Sequence, residues 1–111
     1  MKHFLFFLLM ISSSLAMAGT QTSTVERFIA RSDGLHFLYL KDGSGESANN
    51  RAGCAEGHKY WMIKDENSTY GKTQISMILK AHATKEEITV IGTGECTRWH
   101  DGEDIGSIII K

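Results

Sequence analysis

The sequence has no proline, only two cysteines and no block of like charge. Without proline and without internal repeats, nothing in it reads as a linker between domains. Its 12 basic and 13 acidic residues are scattered along the chain. Nucleic-acid binding asks for a basic stripe, and a membrane surface asks for a polybasic or amphipathic segment; neither is present. No CxxC pair, no HExxH-like spacing and no GxSxG context occurs, so the short motifs of zinc binding, metalloprotease chemistry and the nucleophile elbow are missing. The apolar run Phe4 to Ile11 falls far short of the ~20 residues that cross a bilayer.

That apolar run has another use. Lys2 and His3 precede it, and Ser12 to Ser14 lead into Ala16-Met17-Ala18, the small-x-small pattern of a cleaved export signal. No lipobox cysteine follows it. Residues 1–18 are therefore expected to be removed, leaving a single domain of 93 residues (111 − 18) that is secreted or periplasmic. Losing Lys2 leaves 11 basic against 13 acidic residues, a net charge of −2. A domain this small has a marginal core and gains from a staple. Cys54 and Cys96, 42 positions apart, are expected to supply one in an oxidising compartment. Closing a loop of that length is worth about 4 kcal/mol in the chain-entropy picture.

Thr20 to Thr24 reads as a polar lead-in, Val25 to Arg31 as a strand, and Ser32-Asp33-Gly34 as a tight turn. Leu35 to Leu40 completes a hairpin, with Leu35, Phe37 and Tyr39 on one face and His36, Leu38 and Leu40 on the other. Lys41 to Gly53 is an aperiodic Gly-, Ser- and Asn-rich loop. His58 to Lys64 is a third strand, its Tyr60 and Met62 opposite to Trp61 and Ile63. Helical spacing follows: Ile75, Ile78, Leu79 and His82 form an apolar stripe over about Tyr70 to Ala83, with Ser68 or Thr69 as cap. Ile88 to Cys96 is a strand in which Gly92 and Gly94 signal a bulge or a close backbone approach. Thr97 to Asp104 is a polar connection with an Asp-Gly turn, and Ile105 to Ile110 is the last strand. The predicted order is β-β-β-α-β-β, a mainly β fold with one helix.

Candidate chemistry is sparse. Asp101, Glu103 and Asp104 crowd three carboxylates together, but without the alternating ligands of a calcium loop or the separation of a glycosidase pair; a solvated hairpin turn accounts for them. Of the mature histidines, His36, His58, His82 and His100, none is spaced for a metal, and a disulfide removes the thiol that Cys–His catalysis needs. The expectation is a protein that is not an enzyme and needs no cofactor and no metal. Tyr60, Trp61 and Trp99 are the better lead, because tryptophan beside carboxylate and amide groups suits sugar or protein recognition. Trp61 is expected in the core; Trp99 is either a binding plate or a brace beside the disulfide. Asn67-Ser68-Thr69 also matches a glycosylation acceptor.

The stretch from Cys54 onward (CAEGHKYWMIKDENSTYGKTQISMILKA, then GTGECTRWHDGEDI) resembles a family of small exported, mostly bacterial proteins of poorly defined role. Its best motif is Cys96-Thr97-Arg98-Trp99 with Asp101-Gly102-Glu103-Asp104. That family resembles, more distantly, the B subunit of subtilase cytotoxin. The resemblance implies an OB-like barrel, and the toxin subunits form a pentameric ring that binds cell-surface glycans; none of their sugar-contacting residues is carried over. Two functions follow as expectations: a binding module for a glycan or another protein, or an accessory protein of the cell envelope. The recognition surface is expected on the hairpin, at Arg98, Trp99, Asp101 and Glu103. Isoleucine on both faces of Ile108-Ile109-Ile110 adds an expected homo-oligomer.

Overall fold

A computed structural model describes residues 18–41 and 51–111. The expected export signal up to residue 17, and residues 42–50 of the loop expected after Leu40, lie outside the described residues. The elements are β1 (Thr20–Ala30), β2 (His36–Leu40), a 3₁₀ turn (Gly53–Ala55), β3 (Tyr60–Met62), α1 (Thr69–Thr84), β4 (Glu87–Gly92) and β5 (Glu103–Ile110). The strands close into a barrel in the order β1-β2-β3-β5-β4. The chain order β-β-β-α-β-β and the small OB-like barrel are thus as expected.

The first strand does more than the sequence suggests. The supposed lead-in is ladder: Thr20–Thr24 pairs antiparallel with β4, while Val25–Ala30 pairs with β2. A register shift between Val25 and Arg27 bends one strand into both sheets, as bulges do. Gln21 and Ser23 point inward although polar. Gln21 Oε1 accepts a hydrogen bond from Trp61 Nε1 at 2.8 Å, so the indole N–H is satisfied inside the barrel. The barrel closes through a short parallel pairing of β3 with β5, Trp61 opposite Glu103 and Met62 opposite Asp104.

Leu38, Leu40, Trp61, Ile63, Ile88, Val90 and Ile105 fill the interior together with Ile78 and Ala81 of the helix. Trp61 is fully buried, as expected. The helix starts at Ser68, whose side chain accepts from Gly71 N, and ends at Lys85 in the left-handed region. Its inward face keeps Ile75 and Ile78 of the predicted stripe but not Leu79 and His82. Gly71, Gln74, Ile78 and Ala81 are buried, whereas Leu79 is 55% exposed and His82 is exposed. A Cβ on Gly71 would stand 1.9 Å from Asp65 O, so glycine there lets the preceding loop fold against the first helical turn, and Gln74 Nε2 donates to Gly106 O of β5. On β5, Ile108 and Ile110 pack on the core and Ile109 is 46% exposed. Among the described residues no helix is long and apolar enough to cross a membrane.

The bridge between Cys54 and Cys96 is present, with Cα atoms 6.2 Å apart. It ties the 3₁₀ turn to the segment leaving β4. This fits the oxidising compartment that export would supply.

Candidate functional site

Alternation along β2 and β3 sends one set of side chains outside the barrel. Leu35, Phe37 and Met62 form a second apolar cluster, with Ile29, Tyr39, Tyr60 and Trp99 packed on it. The facing pattern of β2 and β3 is the one the sequence predicts. The hairpin from Thr97 to Gly102 folds over this cluster, with Trp99 bridged to Gly102. A Cβ on Gly102 would lie 2.6 Å from Met62 Cγ and 2.7 Å from Tyr60 Cε2, so only glycine lets the hairpin rest on the sheet.

The result is an aromatic face. Phe37 meets Tyr60 and Trp99 edge-on at 5.4 and 5.8 Å between ring centroids, and Tyr39 lies 5.7 Å from Tyr60. Two guanidinium groups cover it in part: Arg27 is 4.2 Å from the Tyr39 centroid and Arg31 is 5.1 Å from that of Trp99. Such contacts hold cations over ring faces. Trp99 is half-buried, being both a brace against Phe37 and a partly open ring.

Asp101 provides the polar edge. Tyr60 Oη donates to Asp101 Oδ1, and His58 and His100 lie 3.6 and 3.4 Å from Oδ2. The Tyr60 hydrogen bond first of all holds the Asp101 carboxyl below its usual range; desolvation opposes it, and the charges of His100 and His58 add smaller lowering effects. Burial first, then the hydrogen bond and charge of Asp101, push the Tyr60 phenol up to about 12. Spectroscopic titration is expected to show one tyrosine ionising near that value. Because the folded-state value lies above the unfolded one of about 10, the stability that Tyr60 contributes is fully present below about pH 10 and is lost as pH rises through about 12. Asp101→Asn should move the midpoint down only part of the way, since burial is the larger cause; an unchanged midpoint would show that the carboxylate has no hold on the phenol.

The other residues expected on the recognition surface have different positions. Arg98 is a clamp: its Nε and Nη2 reach Glu66 Oε1 at 3.1 and 3.0 Å, and Nη2 also donates to Gly34 O. Glu66 in turn meets His36 Nδ1 at 3.0 Å. The solvated-turn account of the three carboxylates is corrected for two of them, which are fully buried at the start of β5. Asp104 accepts from Thr97 N, Thr97 Oγ1 and Arg98 N, pinning the hairpin base. Glu103 points into the barrel and away from the expected surface. Its Oε2 accepts from Gly19 N and Gly94 N, and its Oε1 from Ala52 N. Arg51 Nε is 3.7 Å from Oε1, and the Arg51 guanidinium stacks 4.0 Å from the Trp61 centroid.

Adjacency of three acidic residues hid this division, because such runs are ordinarily solvated. The signal that existed was the pair Gly92 and Gly94. The bulge expected there is the register shift between Ile91 and Gly92, and a Cβ on Gly92 would come 1.8 Å from Glu103 Oε2, so the close approach is that of a side chain rather than of another backbone. Arg27 and Ile29 alternate onto one face of β1 and Arg31, just past its end, joins them; scattered charges along a strand give no local signal of a shared face.

Shallow grooves between β1 and α1, both lined by Glu26 and His82, share only Arg27 with the aromatic face. Among the described residues no three His, Cys, Asp or Glu side chains are placed to share a metal ion. Comparison of the chain with protein-family models, with curated proteins and with solved structures gives no match.

Proposed function

We propose that the protein is an exported recognition module that binds a carbohydrate on the outer face of β2 and β3. One observation carries this reading: Trp99, Tyr39 and Tyr60 share a face with Arg27, Arg31 and the ionised Asp101. A sugar ring offers C–H groups for stacking and hydroxyls that both donate and accept. The face supplies the matching parts, namely amphipathic ring surfaces with guanidinium donors and a carboxylate acceptor. It is shallow, as suits a saccharide at the surface of a larger molecule. The resemblance to toxin B subunits points the same way. Self-association belongs to this proposal too, since Ile109 leaves apolar surface on β5; light scattering measures it, and a monomeric mass at micromolar concentration would remove it.

A glycan array probed with the mature protein is the direct test, followed by chemical-shift mapping of any ligand found. Shifts should centre on Trp99, Tyr39 and Tyr60. Trp99→Ala is expected to weaken binding at least tenfold, the equivalent of about 1.4 kcal/mol of lost stacking. It should cost only about 2 kcal/mol of stability, below the ~3–5 of a fully buried tryptophan. An empty array, or shifts elsewhere, would overturn the proposal. Capture of an envelope protein through the same face would favour the accessory role instead.

A further inference from the structure

The domain begins at a buried nitrogen. Ala18 is exposed and Gly19 is buried. Gly19 O accepts from Gly92 N at 2.8 Å, anchoring the residue beside β4, and Gly19 N donates to Glu103 Oε2 at 2.9 Å. A Cβ at this position would lie 2.9 Å from Glu103 Oε1 and 3.2 Å from Arg51 Cα and Trp61 Cη2, so any larger residue would press on the Glu103 carboxylate. The bond preceding this nitrogen is the one that the small-x-small pattern marks for cleavage.

We infer that cleavage of the Ala18–Gly19 bond places the new α-ammonium of Gly19 on the buried Glu103 carboxylate, so that processing completes the barrel with an ion pair. The inference rests on the export reading and is independent of glycan recognition. Water adds across the peptide bond under a peptidase that reads small residues, before the domain closes. The C–N bond breaks, Ala18 leaves as a carboxylate, and the proton it sheds offsets the one gained as the Gly19 nitrogen becomes an ammonium. A neutral amide donor is thereby exchanged for a charged one, and charge-assisted hydrogen bonds are roughly twice as strong.

The groups facing this nitrogen divide its surroundings. Glu103 Oε2 receives Gly19 and Gly94 N–H, while Oε1 faces Ala52 N–H and the Arg51 guanidinium. Arg51 opposes a second cation. It does so from 3.7 Å off the far oxygen, with Nη2 committed to Tyr60 O, which limits the gain without cancelling it.

The exported protein is first weighed by intact mass spectrometry, which should show a chain starting at Gly19. NMR titration of the Gly19 Cα should then give an amine pKa above the ordinary value of about 7.7–8.0. A group raised on folding stabilises fully below its unfolded pKa and loses that contribution as pH rises through the folded one. At pH 6–7 the mature chain should therefore have a folded-to-unfolded ratio about tenfold higher than one retaining Ala18, equivalent to about one pKa unit. The difference should vanish above the titration midpoint. A different N-terminus, an amine titrating at or below its ordinary value, or equal stability of the two chains at every pH would each overturn the inference.

Discussion

Glu103→Ala is expected to destabilise the folded domain by about 3–5 kcal/mol, the cost of breaking a buried charge pair by removing one partner. Three backbone N–H groups, those of Gly19, Ala52 and Gly94, lose their acceptor at once. Arg51 is left in the interior without a counter-charge. Among the described residues its Nε and Nη1 have no hydrogen-bond partner, and burial already depresses its pKa, with Glu103 acting against that shift. Glu103→Gln preserves the shape but offers one carbonyl oxygen to three donors, so it should recover only part of the loss. Removing both charges in Glu103→Leu/Arg51→Met should be milder than Glu103→Ala, because no buried ion is then orphaned. Urea denaturation measures all three. A loss under about 1 kcal/mol for Glu103→Ala would show that the carboxylate does not organise the strand ends around it.

Cys54→Ala should cost about 2–5 kcal/mol, as for a native bridge in a small secreted domain. The bridge closes a separation of 42 positions, and one of its ends lies just after Arg51 and Ala52, the residues that serve Glu103 from outside the barrel strands. The two substitutions act on neighbouring parts of one arrangement, so their combined cost should depart from the sum. Non-reducing peptide mapping should recover the linked pair. Two alkylatable thiols in the native protein, or an unchanged denaturation midpoint in Cys54→Ala, would refute the stabilising role.

Local pattern alone determined the type and order of the elements of this protein, though not how far β1 and β5 extend. Alternation in Leu35 to Leu40 and in Tyr60 to Ile63 specified both the strands and the face of each side chain, because a period of two leaves no other arrangement. The capping serine, the Asp-Gly turns and the cysteine pair were legible for the same reason, each being a property of a few neighbouring residues or of composition. Tertiary structure decided the rest. Gln21 and Ser23 read as polar lead-in until Trp61, 40 positions away, supplies the indole N–H for Gln21. On the helix, Ile75 and Ile78 face the core as their spacing implies, but Gly71 and Ala81 share that face in place of Leu79 and His82, because close packing accepts small residues that a hydropathy pattern ignores. Adjacent carboxylates parted company at Gly102, Asp101 to the aromatic face and Glu103 to the interior, once β5 paired with β3. A buried charge is chosen by the donors that converge on it. Here they come from Gly19, Arg51, Ala52 and Gly94, and only the closed barrel brings them to one point.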